Sequence, residues 1–430
     1  MRISLLKWLS FIFSYYWVFL SFHVYMVSGH SVHCLDDQKL LLLQLKKNLK
    51  FNPLDSSKLV FWNESQRCNE WSGITWNGDG HVAGLDLSGE SISGGLNNSS
   101  TLFSLHYLNN LNLAFNNFGS VIPSGIKNLK NLTSLNLSNA GFVDQIPMEI
   151  AHLTRLTILD LSTLYYLGGS APKLENPNLV KLVQNLSEVR ELYLDGINIS
   201  LKGNEWGHAL SSFLPHVQVL SMSNCNLSGP IDSSLKKLQN LSIIRLDQNN
   251  LSAPVPSFFA KFSNLTNLDL SSCDLSGRFP NEIFQNGSLQ ILILSITNFS
   301  GALPPNISKL RKLTRLELFQ CQFNGKLPDS MLDLPELTYL DLSFNEFIGA
   351  IPSFGMAKKL THIDLSHNEL NGGVVSVHFE GLLNLVSINL RDNSLNGIIP
   401  MSLFLLPLLQ HIQFSNNNFQ GQLAAISRRA

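Results

Sequence analysis

The sequence predicts an α/β solenoid: a stack of short coils with a parallel concave β-sheet and a helical cap at the N-terminus. Three observations carry that reading. The pattern of Leu265 to Gly277, LTNLDLSSCDLSG, recurs fourteen times. Its ninth position falls at Glu90, Asn116, Ala140, Leu164, Ile197, Cys225, Asn249, Cys273, Thr297, Cys321, Asn345, Asn368, Asn393 and Asn417, which number the coils 1 to 14. From Cys225 onward the spacings are 24, 24, 24, 24, 24, 23, 25 and 24 residues, a period that marks stacked repeats.

Each element follows from the repeat. The leucines alternate with other residues, which makes a short strand with every second side chain inward. One coil cannot bury those leucines; stacking joins them into a continuous core. The Asn at the ninth position is expected to turn inward and bond backbone groups that burial would leave unpaired. The Gly after Leu-Ser permits a turn. The Pro that follows, as at Pro230, Pro256, Pro304 and Pro400, ends pairing and begins the convex side. At about 4.8 Å per strand, fourteen strands span roughly 62 Å. Two spacings are longer, Leu164 to Ile197 at 33 residues and Ile197 to Cys225 at 28, so insertions lie near 167–185 and 200–213. The first is expected to hold a short convex helix within 174–183. Such insertions form loops on one face, as functional segments or as tolerated surface additions.

Residues 30–79 read as the cap, with Asp36 as N-cap of a helix through Leu40, Leu41, Leu45 and Leu49, followed by Trp62, Trp71 and Trp76. Residues 1–29 read as a signal peptide. Arg2 and Lys7 precede an apolar stretch from Trp8 to Val27, and Val27-Ser28-Gly29 places compact residues before a cut. The alternative is an uncleaved anchor. The repeats occupy 80–423, and 424–430 is an uncapped tail. Leu409, Ile412, Phe414 and Phe419 belong to the last coil and are expected to fray, with Leu423 and Ile426 covering only part of the edge.

Composition excludes several functions. The chain has 430 residues, 44% apolar, with 14% charged and a net charge of −1. That excludes general disorder, and no basic surplus suits nucleic acid. Removing Arg2 and Lys7 leaves 28 basic against 31 acidic residues, or −3. No second run of about twenty apolar residues follows, so no membrane anchor is expected in the mature chain as given. The sequence has no phosphate loop with its lysine, no HExxH, no GxSxG and no kinase motifs, so no enzyme activity, cofactor or metal is expected. Asp160, Asp269, Asp341 and Asp364 share one strand column because the repeat specifies Asp or Asn there. His362 and His367, on two sides of one strand, are read as solvated rather than as ligands.

The candidate ligand face is the concave one. Most of its positions carry small polar residues such as Ser271 and Ser415. Tyr193, Arg245, Ile293 and Glu317 fill the central column, where Asp or Asn is usual, flanked by Ile291, Arg315 and Phe319. Exposed residues of these types on a rigid face suit an interface with a protein or peptide ligand. The alternative is repeat drift. Cys225, Cys273 and Cys321 stand two coils apart, roughly 9.6 Å, beyond the reach of a disulfide, and are expected to be buried thiols. Candidate N-glycosylation sites are Asn63, Asn97, Asn98, Asn131, Asn185, Asn198, Asn226, Asn240, Asn250, Asn264, Asn286, Asn298 and Asn306. Asn136, also in a sequon, lies mid-strand on the concave face. No sequon follows Asn306.

The repeat with Leu227-Ser-Gly-Pro-Ile231 resembles the plant-type leucine-rich repeat, whose fold is a horseshoe or superhelix. Cys34-Leu-Asp-Asp-Gln-Lys-Leu-Leu with Trp71-Ser-Gly-Ile-Thr resembles the plant leucine-rich-repeat N-terminal cap. Gly80-His-Val-Ala-Gly-Leu-Asp-Leu-Ser, the stretch Leu174 to Gly196 and Gly203-Asn-Glu-Trp206 are similar to receptor-like proteins of the Verticillium-wilt-resistance type. The resemblance implies a cell-surface immune receptor without a kinase, binding a pathogen-derived ligand and signalling through partner receptor kinases. It also implies a Cys34–Cys68 disulfide, since Asn69 and Trp76 replace the second pair of cap cysteines. The family continues through further repeats, a second cap, a membrane helix and a short tail. The chain is therefore expected to be such a receptor cut short, in the apoplast or, at full length, on the plasma membrane. A secreted inhibitor resembling polygalacturonase-inhibiting proteins and a non-functional remnant are the alternatives.

Overall fold

The computed structural model describes residues 34–163, 172–375 and 378–421. The signal peptide assigned to 1–29, the tail 424–430, Leu164, Leu423 and Ile426 lie outside them. The described strands form a fifteen-stranded sheet in chain order. Its first strand, Ile74–Trp76, is antiparallel and belongs to the cap; the other fourteen run parallel, one per coil. Register is constant from coil to coil. Leu268 pairs with Ile244 on one side and Leu292 on the other, and Leu292 pairs in turn with Leu316. The central residues therefore stack into one column, and all four are buried.

Two features were not legible in the repeat. After the ladder position the chain pairs again, in a seven-stranded parallel sheet from Ser276–Arg278 to Asn418–Phe419. The Leu-Ser-Gly segment is therefore a strand start as well as a turn. The convex side is built of short 3-10 turns such as Ser257–Lys261 and Pro305–Lys309, each just after a proline. The tight turn fits because the next buried apolar residue, Phe259 or Ile307, follows Pro256 or Pro304 within a single turn.

The inward Asn side chains satisfy the backbone as expected. The Asn249 Nδ2 donates to the carbonyls of Met222 (2.8 Å), Leu246 (2.8 Å) and Asp247 (3.1 Å). Its Oδ1 accepts from the N–H groups of Cys225 and Leu227, both at 3.0 Å. Donation to the preceding coil recurs at Asn345, Asn368, Asn393 and Asn417.

Helix α1, Asp36–Asn48, opens the cap. Asp36 is its first helical residue and not its N-cap; Leu35 holds that place without a side-chain bond. Asp36 and Asp37 in the first turn and Lys46 and Lys47 in the last complement the helix dipole instead. Glu90 fastens the cap to coil 1: its carboxylate accepts from Ser56 Oγ, Ser57 and the N–H groups of Lys58 and Leu59. Helix α2, Leu179–Val183, is N-capped by Asn178, and helix α3, Gly203–Phe213, buries Trp206. The described parts of both insertions thus hold convex helices.

Candidate functional site

Four side-chain columns cross the concave face. In six of the fourteen coils the second column is Asp or Asn and the third is Ser, and the pair closes on itself. Ser271 donates from both its N–H (3.0 Å) and its Oγ (2.7 Å) to Asp269 Oδ1. Ser366 does the same to Asp364, and Ser138 to Asn136. A polar face made this way presents few unsatisfied groups to a ligand.

The residues singled out from the sequence break that pairing. Tyr193 Oη donates to Glu191 at 3.0 Å, and burial beside that carboxylate pushes its phenol well above the ordinary range. The carboxylates of coils 5 and 7 shift one column over, to Asp195 and Asp247. Ser221 and Ser223 donate to Asp195, and Ser223 Oγ donates to Asp247. Arg245 stands 3.8 Å from Asp247, and Arg315 pairs with Glu317. Phe319 N–H donates to Ser295 Oγ at 3.1 Å.

The expectation that these seven are exposed needs correction. Ile293 is 6% exposed and Glu317 8%. Strands about 4.8 Å apart on a concave surface press neighbouring side chains together, so the central column is covered by its own members. Tyr193, Arg245, Ile291, Arg315 and Phe319 are half-buried. Ile291, Ile293, Arg315, Glu317 and Phe319 lie on adjacent coils 9 and 10, whereas Tyr193 and Arg245 stand on coils 5 and 7.

Sequence reasoning missed the coils that follow. Phe344 packs edge-on to Phe319 at 5.4 Å and stacks on His367 at 3.9 Å. Tyr339 carries the Arg315 guanidinium over its ring at 4.1 Å and lies 5.5 Å from His362. His362 and His367 are therefore members of two aromatic rails. The available signal was Phe344 at a position that most coils fill with Asn, Ser, Gln, Asp or Gly.

The structure joins Cys34 to Cys68, with Cα atoms 6.1 Å apart, and leaves Cys225, Cys273 and Cys321 as buried free thiols. Among the sequons, Asn97, Asn98, Asn185, Asn226, Asn240, Asn250, Asn264 and Asn298 are exposed, and Asn63, Asn131, Asn198 and Asn306 half-buried. Asn286 is buried and its Nδ2 donates to the Phe262 carbonyl at 2.9 Å, which removes it as an accessible acceptor. Among the described residues no helix is long and apolar enough to cross a membrane.

Comparison with known proteins agrees with this architecture. The Leucine Rich Repeat profile matches residues 107–129, 216–238, 264–286, 336–355 and 384–406. Receptor-like protein Cf-9 of Solanum pimpinellifolium is 33% identical over 230 residues, covering 50% of this chain and 25% of that protein. Receptor-like protein 6 of Arabidopsis thaliana is 30% identical over 234 residues, covering 50% and 23%. The matched stretch is thus about a quarter of the length of these relatives. Among solved structures, PEPR1–AtPEP1 superposes with a TM-score of 0.66 at 27% identity, covering 90% of this chain and 56% of that one. A TDR receptor superposes with a TM-score of 0.63 at 26% identity, covering 79% and 64%.

Proposed function

We propose that this chain, a leucine-rich-repeat protein of the plant receptor-like kind, is an extracellular recognition module that binds a protein or peptide ligand on its concave face. The observation that carries the reading is the break in the Asp–Ser pairing at Tyr193, Arg245, Ile293 and Glu317, which puts Tyr193, Arg245, Ile291, Arg315 and Phe319 half-buried at the concave surface. The HAESA ectodomain, alike in fold at 19% identity, is known in complex with a peptide hormone ligand. In the finer form of the proposal, residues 1–29 direct secretion, the ligand is pathogen-derived, and partner receptor kinases carry the signal. The chain acts by binding and catalyses nothing.

The test is a random peptide display library panned on the secreted, folded protein, with the enriched peptides titrated against variants. Replacing Tyr193, Arg245, Ile293 or Phe319 by Ala should cost about 2 kcal/mol of binding at a hot spot, and Ser271→Ala or Ser415→Ala little. If all four variants bind like wild type while changes near Lys173 abolish binding, the concave reading fails.

A further inference from the structure

The concave face carries a charge that the chain as a whole does not. From Asp86 to Asp392, the concave strands and the turns leading to the ladder hold ten carboxylates and three guanidinium groups, those of Arg245, Arg315 and Arg391. With histidines neutral that is −7, in a chain whose total is −1, so the remainder sums to +6. The carboxylates crowd one another. Burial, with Asp247 close by, pushes the Asp269 carboxyl up to about 7. Burial, with Asp247 and Asp160 adding to it, does the same to Asp195. Of that total, coils 9 to 13 hold Glu317, Asp341, Asp364 and Asp392 against Arg315 and Arg391, a local −2.

An acidic face alone names no ligand. The aromatic rails of coils 10 to 12 supply the second observation. Phe319, Phe344 and His367 form one rail, and Tyr339 and His362 the other; Asp341 and Asp364 lie on the floor between. Phe344 is 46% exposed although its φ is 54°, and Ile296 on coil 9 is 45% exposed with φ 57°. Bulky residues in left-handed backbone are uncommon, and β-branched ones are outliers. The chain itself shows what the rails accept. The Arg315 guanidinium lies over Tyr339 while its Nε contacts Glu317. An aromatic face beside a carboxylate holds a partly desolvated cation well. No sequon follows Asn306, so no N-linked glycan is attached to coils 10 to 13.

We infer that the concave face of coils 9 to 13 takes a basic peptide segment in extended form, with Arg or Lys side chains seated between the two rails. This deepens the recognition reading and rests on it. Four coil steps of about 4.8 Å span roughly 19 Å, the length of about six extended residues.

The experiment uses the same panned library at low salt, with the enriched peptides titrated against Phe344→Asn, which suits the left-handed turn, and Phe115→Asn. Phe115 holds the same position on coil 2, with φ 55° and 59% exposure, away from the rails. The enriched peptides should carry Arg or Lys. Phe344→Asn should weaken them about tenfold, Phe115→Asn should not, and raising salt from about 50 to 300 mM should weaken them further. Peptides without basic residues, or peptides sensitive to Tyr193→Ala yet indifferent to Phe344→Asn, overturn this inference while concave recognition stands. No enrichment, or binding indifferent to every concave variant, overturns both.

Discussion

Coils 8 and 11 meet the same demand with different atoms. At coil 11 the Asn345 amide donates to the carbonyls of Leu318, Leu342 and Ser343 and accepts from Phe323 N–H. At coil 8 the Cys273 thiol donates to one carbonyl, that of Leu246, at 3.3 Å. Burial pushes that thiol up to about 12, so it stays protonated and a donor. The stack persists through both. The difference teaches that the leucine core and the sheet set the coil, while the ladder residue decides how many buried backbone groups are satisfied.

Three substitutions probe that contrast. Asn345→Ala removes three donations and an acceptor from a buried site and should destabilise by about 4 kcal/mol, given roughly 1–3 kcal/mol for each group left unpaired. Urea unfolding reads it, and a loss under about 1 kcal/mol would show that water replaces the amide. Glu90→Gln puts an N–H₂ group among donors and should cost on the order of 2 kcal/mol at neutral pH. Burial raises the Glu90 carboxyl, but the hydrogen bonds of Ser56, Leu59, Lys58 and Ser57 outweigh it and hold the group below its usual value. Its contribution is therefore complete above the unfolded value of about 4.3 and is lost as pH falls through the lower folded one. Wild-type and variant stabilities should converge in acid; parallel curves from about pH 7 to 3 would remove the charge from the account. Cys273→Asn should gain about 1 kcal/mol by restoring the amide bonds. A loss there would mean that coil 8 has closed around sulfur and left no room.

The period, the concave strands and the ladder were legible because each is written in residue spacing. Asn249 and Asn345 do what their positions suggested. The burial of Ile293 and Glu317 was not legible, since it arises between coils: a neighbour in space one repeat away in sequence covers each side chain. The rails were missed for a related reason. Phe344 looks like an isolated exception in its own repeat, and only stacking brings it against Phe319 and His367. Asn286 reads as a sequon locally, but its amide is already committed to the coil before it.

The left-handed row ahead of the ladder has a consequence for how such a chain varies. Most coils place Asn, Ser, Gln, Asp or Gly there, residues that accept positive φ or stay small. Ile296 and Phe344 hold the same backbone at a cost of about 1–2 kcal/mol each. On the recognition proposed above, heat resistance and ligand binding compete for these positions. On that proposal, a lineage selected for robustness would drift toward Asn at both and weaken ligand binding, whereas one selected for new ligands would accumulate bulk along this row and depend on the buried ladder to absorb the loss.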